Sequence, residues 1–172
     1  VPQGTGPEGL ERCFAELRGR PVGHSMGHTA RPAPMPERLA ALDSRGYRMA
    51  IVSNKLQAGV SVMHRQLYAE HVHVAIGEHA GVRRKPAPDM VLEAIGQLGV
   101  KTEDCVYVGD SDVDILTAQG AGLPCISVLW GFRDREFLLR HGATTLAAKP
   151  SDIVDIMDSG QVLPHPGTTQ AQ

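Results

Sequence analysis

The sequence predicts an α/β protein in which a doubly wound parallel sheet carries helices on both faces. Between residues 39 and 129, short apolar runs typical of buried strands alternate with segments whose apolar residues recur at helical spacing. The clearest unit runs from Val106 to Asp114, where an apolar run breaks at Gly109 into carboxylates and passes into the helical pattern of Ile115 and Ala118. Strand, tight turn and helix follow one another there, as they do in doubly wound sheets.

The predicted elements follow from the chain in order. A helix containing Leu39 and Leu42 can end at Gly46, and a helix that begins after Pro88 can end at Gly99. The strands are expected at residues 47–52, 71–76, 106–109 and 125–129. The apolar helix faces between and after them contain Val60, Met63 and Leu67, then Val91, Ile95 and Leu98, then Ile115, Leu116 and Ala118.

Composition limits the class of protein. The chain of 172 residues, with 42% hydrophobic and 21% charged residues, predicts one domain with its own core. A net charge of -2 provides no broad basic field, so neither nucleic acid nor a membrane surface is expected as a partner. With neither a membrane-length apolar run nor a secretory signal pattern, the sequence predicts a cytoplasmic protein. Its oligomeric state is left open.

Three regions are expected along the chain. Residues 1–30 are set apart from the core by a stiff, proline-rich linker that begins at Arg31 and ends at Pro36. Residues 31–158 form the core domain. Residues 159–172 are rich in Gly, Pro, Thr and Gln, and this composition predicts a disordered tail.

Polar residues follow three of the predicted strands, at positions that converge on one edge of a parallel sheet. Ser53 and Asn54 can donate hydrogen bonds to phosphate oxygens, and Lys85 can neutralise charge that grows during phosphoryl transfer. Asp110 and Asp114 suit Mg²⁺, which takes one or two carboxylates with water and phosphate oxygens. Each position also has an ordinary structural explanation: a turn or helix cap at Ser53 and Asp110, and a solvated basic loop at Lys85. Their occurrence together favours a phosphate-handling site.

These segments, in this order, resemble motifs two, three and four of the haloacid dehalogenase-like hydrolase superfamily. The segments are residues 51–55 (IVSNK), 84–89 (RKPAPD) and 106–114 (VYVGDSDVD), within a match of roughly residues 30 to 157. Residues 127–133 (SVLWGFR) and 141–143 (HGA) further resemble the phosphoglycolate phosphatase-like branch. The resemblance implies that Ser53 and Asn54 bind the transferring phosphoryl group, that Lys85 stabilises it, and that Asp110 is a Mg²⁺ ligand. It also implies that Asp114 supports the metal directly or through water, and that the substrate is a small phosphorylated metabolite.

The family's first motif, a strand ending in Asp-x-Asp, has no counterpart before Ser53, where Asp43 is the only aspartate and falls on a predicted helix. In the family that strand lies in the sheet between the strands that contain Ile51 and Val106, and its first aspartate attacks phosphorus. The resemblance therefore implies a core without its central strand, with residues 1–30 a remnant of the helical cap and hinge. A chain of this kind is expected to have little activity alone. The alternatives are a non-catalytic module that binds phosphate and Mg²⁺, and a structural remnant.

Overall fold

The computed structural model describes residues 35–160, which form an α/β fold of alternating helices and strands. The helices are α1 (Met35–Asp43), α2 (Gln57–Leu67), α3 (Asp89–Leu98), α4 (Asp112–Ala121), α5 (Arg135–Arg140) and α6 (Pro150–Ser159). The strands are β1 (Ala50–Leu56), β2 (Val74–Glu78), β3 (Tyr107–Gly109), β4 (Cys125–Val128) and β5 (Thr145–Ala147), with a short 3₁₀ turn at Thr102–Asp104 before β3. No helix within this range is long and apolar enough to cross a bilayer.

All the strand pairs are parallel. β1 pairs with β2, with Ala50 opposite Val74 and Val52 opposite Ile76, and the register becomes irregular beyond Val52. β3, β4 and β5 form a second sheet in that order, with Tyr107 opposite Cys125. The predicted class, a parallel sheet with connecting helices, is confirmed.

Helices cover both faces of the second sheet. On one face, Tyr107 and Cys125 pack with residues of α3 and α4 that include Ile95 and Ile115. Because side chains alternate along a strand, Ile126 lies on the opposite face, where it packs with residues of β5 and α6. This is the doubly wound arrangement.

The helix α3 packs against both sheets. Val91 and Ile95 belong to the core of the second sheet, and Met90 and Leu98 pack under β2 of the first. Within residues 35–160, β1 is hydrogen-bonded only to β2 and β3 only to β4, so one side of each strand lacks a ladder. The division lies where the family resemblance places a central strand.

Several element boundaries differ from the prediction. The first strand runs from Ala50 to Leu56 and not over residues 47–52, so Ser53 and Asn54 lie within β1, in the irregular part beyond Val52 where pairing resumes only at Leu56. Residues 71 and 72 form a turn, not a strand, because the N–H groups of His71 and Val72 donate to the carbonyl of Tyr68. The predicted linker is wrong at its end, since Met35 and Pro36 begin α1, where proline is tolerated because first-turn N–H groups have no helical partner. α6 extends to Ser159, one residue past the predicted boundary of the core. α5, β5 and α6 are not among the predicted elements, and the predictions for residues 1–34 and 161–172 lie outside the described part.

Candidate active site

The centre of the site is a buried ion pair between Lys85, in the loop after β2, and Asp114, in the first turn of α4. Lys85 Nζ lies 2.8 Å from Asp114 Oδ1, and the two side chains are 14% and 8% exposed. Tyr107 joins them, since its hydroxyl donates to the same carboxylate oxygen at 3.0 Å and accepts from Lys85 Nζ at 3.2 Å. Charge and hydrogen bonding thus link the ends of both sheets.

The second oxygen of Asp114 is also occupied. Oδ2 accepts hydrogen bonds from Ser111 Oγ at 2.6 Å and from the Asp110 N–H at 3.2 Å. Burial by itself raises the pKa of Asp114, but the ammonium of Lys85 and the hydrogen bonds from Lys85, Ser111 and Tyr107 outweigh it and hold the pKa below its usual value. Asp114 is therefore an ionised carboxylate surrounded by protein donors, an arrangement that suits contact with a metal through water.

Gly109 permits this close approach. A Cβ built on Gly109 would overlap the Cβ and the carboxyl group of Asp114. Only glycine lets the end of β3 come so near to the first turn of α4. The break in the apolar run at Gly109 thus has a steric cause.

Asn54 fixes the backbone of Lys85 at two points. Its Nδ2 donates to the Lys85 carbonyl at 3.0 Å, and its Oδ1 accepts from the Lys85 N–H at 2.9 Å. One hydrogen of the Asn54 Nδ2 is used in this way, so its second N–H and the main-chain N–H are the donors that Asn54 can offer to a phosphate oxygen. The Ser53 hydroxyl accepts from the Lys55 N–H at 3.2 Å, which leaves its proton available to a ligand.

Asp110 has one bound and one open carboxylate oxygen. Its Oδ2 accepts from the Phe132 N–H at 2.9 Å, and its Oδ1 has no protein donor among the described residues. No group of three or more His, Cys, Asp or Glu side chains gathers into a metal cage anywhere in residues 35–160. An open oxygen on Asp110, with Asp114 nearby, fits Mg²⁺ as part of a ligand set completed by water and phosphate.

Of the predicted site residues, Asn54, Lys85, Asp110 and Asp114 lie in one hydrogen-bonded network, while Ser53 is placed beside it by its neighbour in the chain. Two members of the network, Tyr107 and Ser111, are not among the predicted site residues. Ser111 had a usable signal, because Ser followed three residues later by an acid is the pattern of a capping box, and its side chain caps α4. Tyr107 had only the weaker signal of sharing a strand face with Gly109.

Fold and site together define an α/β protein whose polar residues gather where parallel strands end. The chain belongs to the haloacid dehalogenase-like hydrolase family, whose family model matches residues 23–128. It is 38% identical, over 96 residues, to the phosphoglycolate phosphatase of Xanthomonas campestris pv. campestris (strain 8004), a match that spans 55% of this chain and 43% of that protein. It is 31% identical over 126 residues to the N-acetylmuramic acid 6-phosphate phosphatase of Pseudomonas aeruginosa PAO1, covering 72% of this chain and 56% of that protein.

A solved structure agrees with these relatives. The crystal structure of a protein assigned as a phosphoglycolate phosphatase from Lactobacillus delbrueckii subsp. bulgaricus superposes with a TM-score of 0.69 at 40% identity. That match covers 70% of this chain and 51% of the other. The chain thus spans about half the length of the relatives it matches.

Proposed function

We propose that this chain supplies the phosphate-binding and charge-stabilising part of a Mg²⁺-dependent phosphatase that acts on a small phosphorylated metabolite, of the phosphoglycolate type. The observation that carries the proposal is the joining of three separate chain segments at one edge: Asn54 holds the backbone of Lys85, and the Lys85 ammonium meets Asp114. Relatives named as phosphatases of small phosphorylated molecules support the same reaction class.

The roles follow from the free donors and acceptors. Ser53 donates its hydroxyl proton to a phosphate oxygen. Lys85 uses two of its N–H bonds on Tyr107 and Asp114 and directs the remaining positive charge toward the phosphoryl group. Asp110 would hold Mg²⁺ through its open oxygen, and Asp114 would position Lys85 and support the metal through water. When bound, Mg²⁺ would neutralise charge on the phosphate oxygens.

The nucleophile in this proposal is an aspartate on a strand between β1 and β3, forming an aspartyl-phosphate that water then hydrolyses. Asp43, the only aspartate of the chain before Ser53, cannot serve, because it ends α1 and pairs with His71 at 3.1 Å. We therefore expect the 172-residue chain to have little phosphatase activity by itself.

A second candidate is a non-catalytic module that binds phosphate and Mg²⁺ at the same residues. It is favoured by the same open oxygen of Asp110 and the same Lys85 charge, neither of which needs a nucleophile in order to bind a ligand. The two candidates differ only in whether a carboxylate can be supplied to the bound phosphoryl group.

The test combines binding with turnover. Inorganic phosphate should bind in Mg²⁺ buffer, and Lys85→Met should weaken it about tenfold or more, a loss typical of a buried charge–phosphate contact. The matched control is Lys101→Met, which removes an exposed ammonium paired with Glu103, with side chains 76% and 74% exposed. A folded chain that binds no phosphate would overturn both candidates and leave the structural remnant.

Turnover separates the candidates. With p-nitrophenyl phosphate or phosphoglycolate and Mg²⁺, the chain should release phosphate only when a synthetic apolar strand peptide ending in Asp-x-Asp is added. A control peptide of the same sequence, with both aspartates replaced by asparagine, should not restore this activity. Asp110→Asn should abolish that activity, whereas Asp104→Asn, an exposed carboxylate, should keep it. Phosphate binding without turnover under any of these conditions favours the binding module. Turnover by the chain alone would show that a nucleophile lies within it.

A further inference from the structure

The loop after β4 closes directly on Asp110. Its Phe132 N–H donates to Asp110 Oδ2 at 2.9 Å, and its Arg133 N–H donates to the Asp110 carbonyl at 3.2 Å. A Cβ built on Gly131 would overlap the side chain of Asp110, so the loop has no room to spare at this point. Both the carboxylate and the carbonyl of Asp110 are therefore held by the main chain of this loop.

The side chain of Arg133 connects this loop to α4 and α5. Its guanidinium carbon lies 4.8 Å from the centre of the Phe132 ring and 4.2 Å from that of Phe137 in α5. Its Nε donates to Asp112 Oδ1 at 3.3 Å. Phe132 is 77% exposed, so hydrophobic burial does little to fix it. We call these four residues the Arg133 clamp.

We propose that Arg133 is a positioning residue, which keeps the loop closed so that the Phe132 N–H fixes one oxygen of Asp110 and leaves the other free for a ligand. The functional part of this inference rests on the proposed function, in which Asp110 binds the metal. A carboxylate at a turn can rotate, and a second group that restrains a ligand commonly strengthens metal binding about 10- to 100-fold.

The chemistry of the clamp favours arginine over lysine. A planar guanidinium can stack on two rings while its Nε–H points at a carboxylate, whereas an ammonium is a compact, strongly hydrated charge without a stacking face. Arg133→Lys keeps the charge near Asp112 but loses the stack. It should therefore behave more like Arg133→Ala than like the native chain.

The direct test is hydrogen exchange of the Phe132 amide, measured by NMR on the full chain without metal. Arg133→Ala should speed this exchange by about tenfold, the scale of two exposed cation–π contacts and one charged hydrogen bond. The Ile126 amide in the core strand β4 should be unchanged, which separates loop opening from general unfolding. The control is Arg140→Ala, which removes a guanidinium from the same helix as Phe137, where it pairs with Glu136 at 3.8 Å.

Mn²⁺ affinity, followed by electron paramagnetic resonance, provides the second measurement. Arg133→Ala should weaken Mn²⁺ binding about tenfold or more, and Arg140→Ala should not. Phe137→Leu removes one ring but keeps apolar bulk, and should show intermediate effects if Arg133→Ala fails to fold. Unchanged Phe132 exchange in Arg133→Ala, or equal changes in Arg140→Ala, would overturn the positioning role. Faster Phe132 exchange in a chain that binds no Mn²⁺ would instead support the clamp and count against the metal role of Asp110.

Discussion

Replacing Lys85 with methionine should destabilise the protein strongly, although Lys85 lies in a loop. The change keeps the length and apolar stem of the side chain, and it removes the cation 2.8 Å from a carboxylate that is 8% exposed. Loss of one partner from a buried ion pair costs about 3–5 kcal/mol, because the remaining charge stays desolvated without its counter-ion. Asp114 keeps hydrogen bonds from Tyr107, Ser111 and the Asp110 N–H, so we expect the lower end, about 3 kcal/mol.

The assay is urea unfolding at pH 7, followed by far-ultraviolet circular dichroism. With an unfolding slope of about 1–3 kcal/mol per molar urea, a loss of about 3 kcal/mol lowers the midpoint by about 1–3 M. The control, Lys101→Met, removes an exposed lysine and should change the free energy of unfolding by less than about 0.5 kcal/mol. Combining Lys85→Met with Asp114→Asn should recover part of the loss, because no unpaired buried charge then remains and the amide oxygen still offers an acceptor to the donors around it.

A loss below about 1 kcal/mol for Lys85→Met, or one no larger than that for Lys101→Met, would refute this reasoning. It would mean that water reaches the Asp114 carboxylate in the folded protein. The buried network would then not be the structural centre of the site.

Two further predictions use the same unfolding assay. The folded-state pKa of Asp114 is below its unfolded value of about 3.9, so the stability that its ionised carboxylate provides is present above that pH and is lost as pH falls through the folded pKa. The native chain should therefore lose more stability than the Asp114→Asn variant when the pH is lowered below about 4. Gly109→Ala should cost about 1–3 kcal/mol, because its Cβ would overlap Asp114. Gly96→Ala in α3, where a Cβ meets nothing within 4 Å, should instead stabilise by about 0.5–1 kcal/mol. Equal acid profiles, or equal effects of the two glycine changes, would contradict these accounts.

Local patterns predicted the part of the fold that depends on neighbours in the chain. Gly99 ends α3 in the left-handed conformation, as its placement after the helical pattern indicates. The strand predicted at residues 71–76 begins only at Val74 in the structure. His71 and Val72 have residue types typical of strands, but their N–H groups donate to the turn that follows α2. Short apolar runs predict that a strand is present more reliably than they predict where it begins and ends.

Residue type and order predicted the chemistry of the site, but they did not predict which atoms each side chain would contact. Asn54 looked like a phosphate ligand, and the structure uses its side chain on the backbone of Lys85, 31 residues away. The Arg133 clamp depends on the hydrogen bond from Arg133 to Asp112, 21 residues away, which no spacing rule in the sequence encodes. Contacts of this kind are set by tertiary packing, so only the folded chain reveals them.

The gap between β1 and β3 separates the two groups of strands whose polar residues meet at the candidate site. Neighbouring strands lie about 4.8 Å apart, and the two sheets here share no hydrogen bond across β1 and β3. Helix packing connects them instead: Ile95 and Met90 of α3 enter the cores of the second and first sheets respectively, and α1 packs against α6. The Lys85–Asp114 pair also spans the division. Under the proposed function, a strand added between β1 and β3 would pair with their open edges and supply its carboxylate beside Lys85, which helix packing and the ion pair already hold in place.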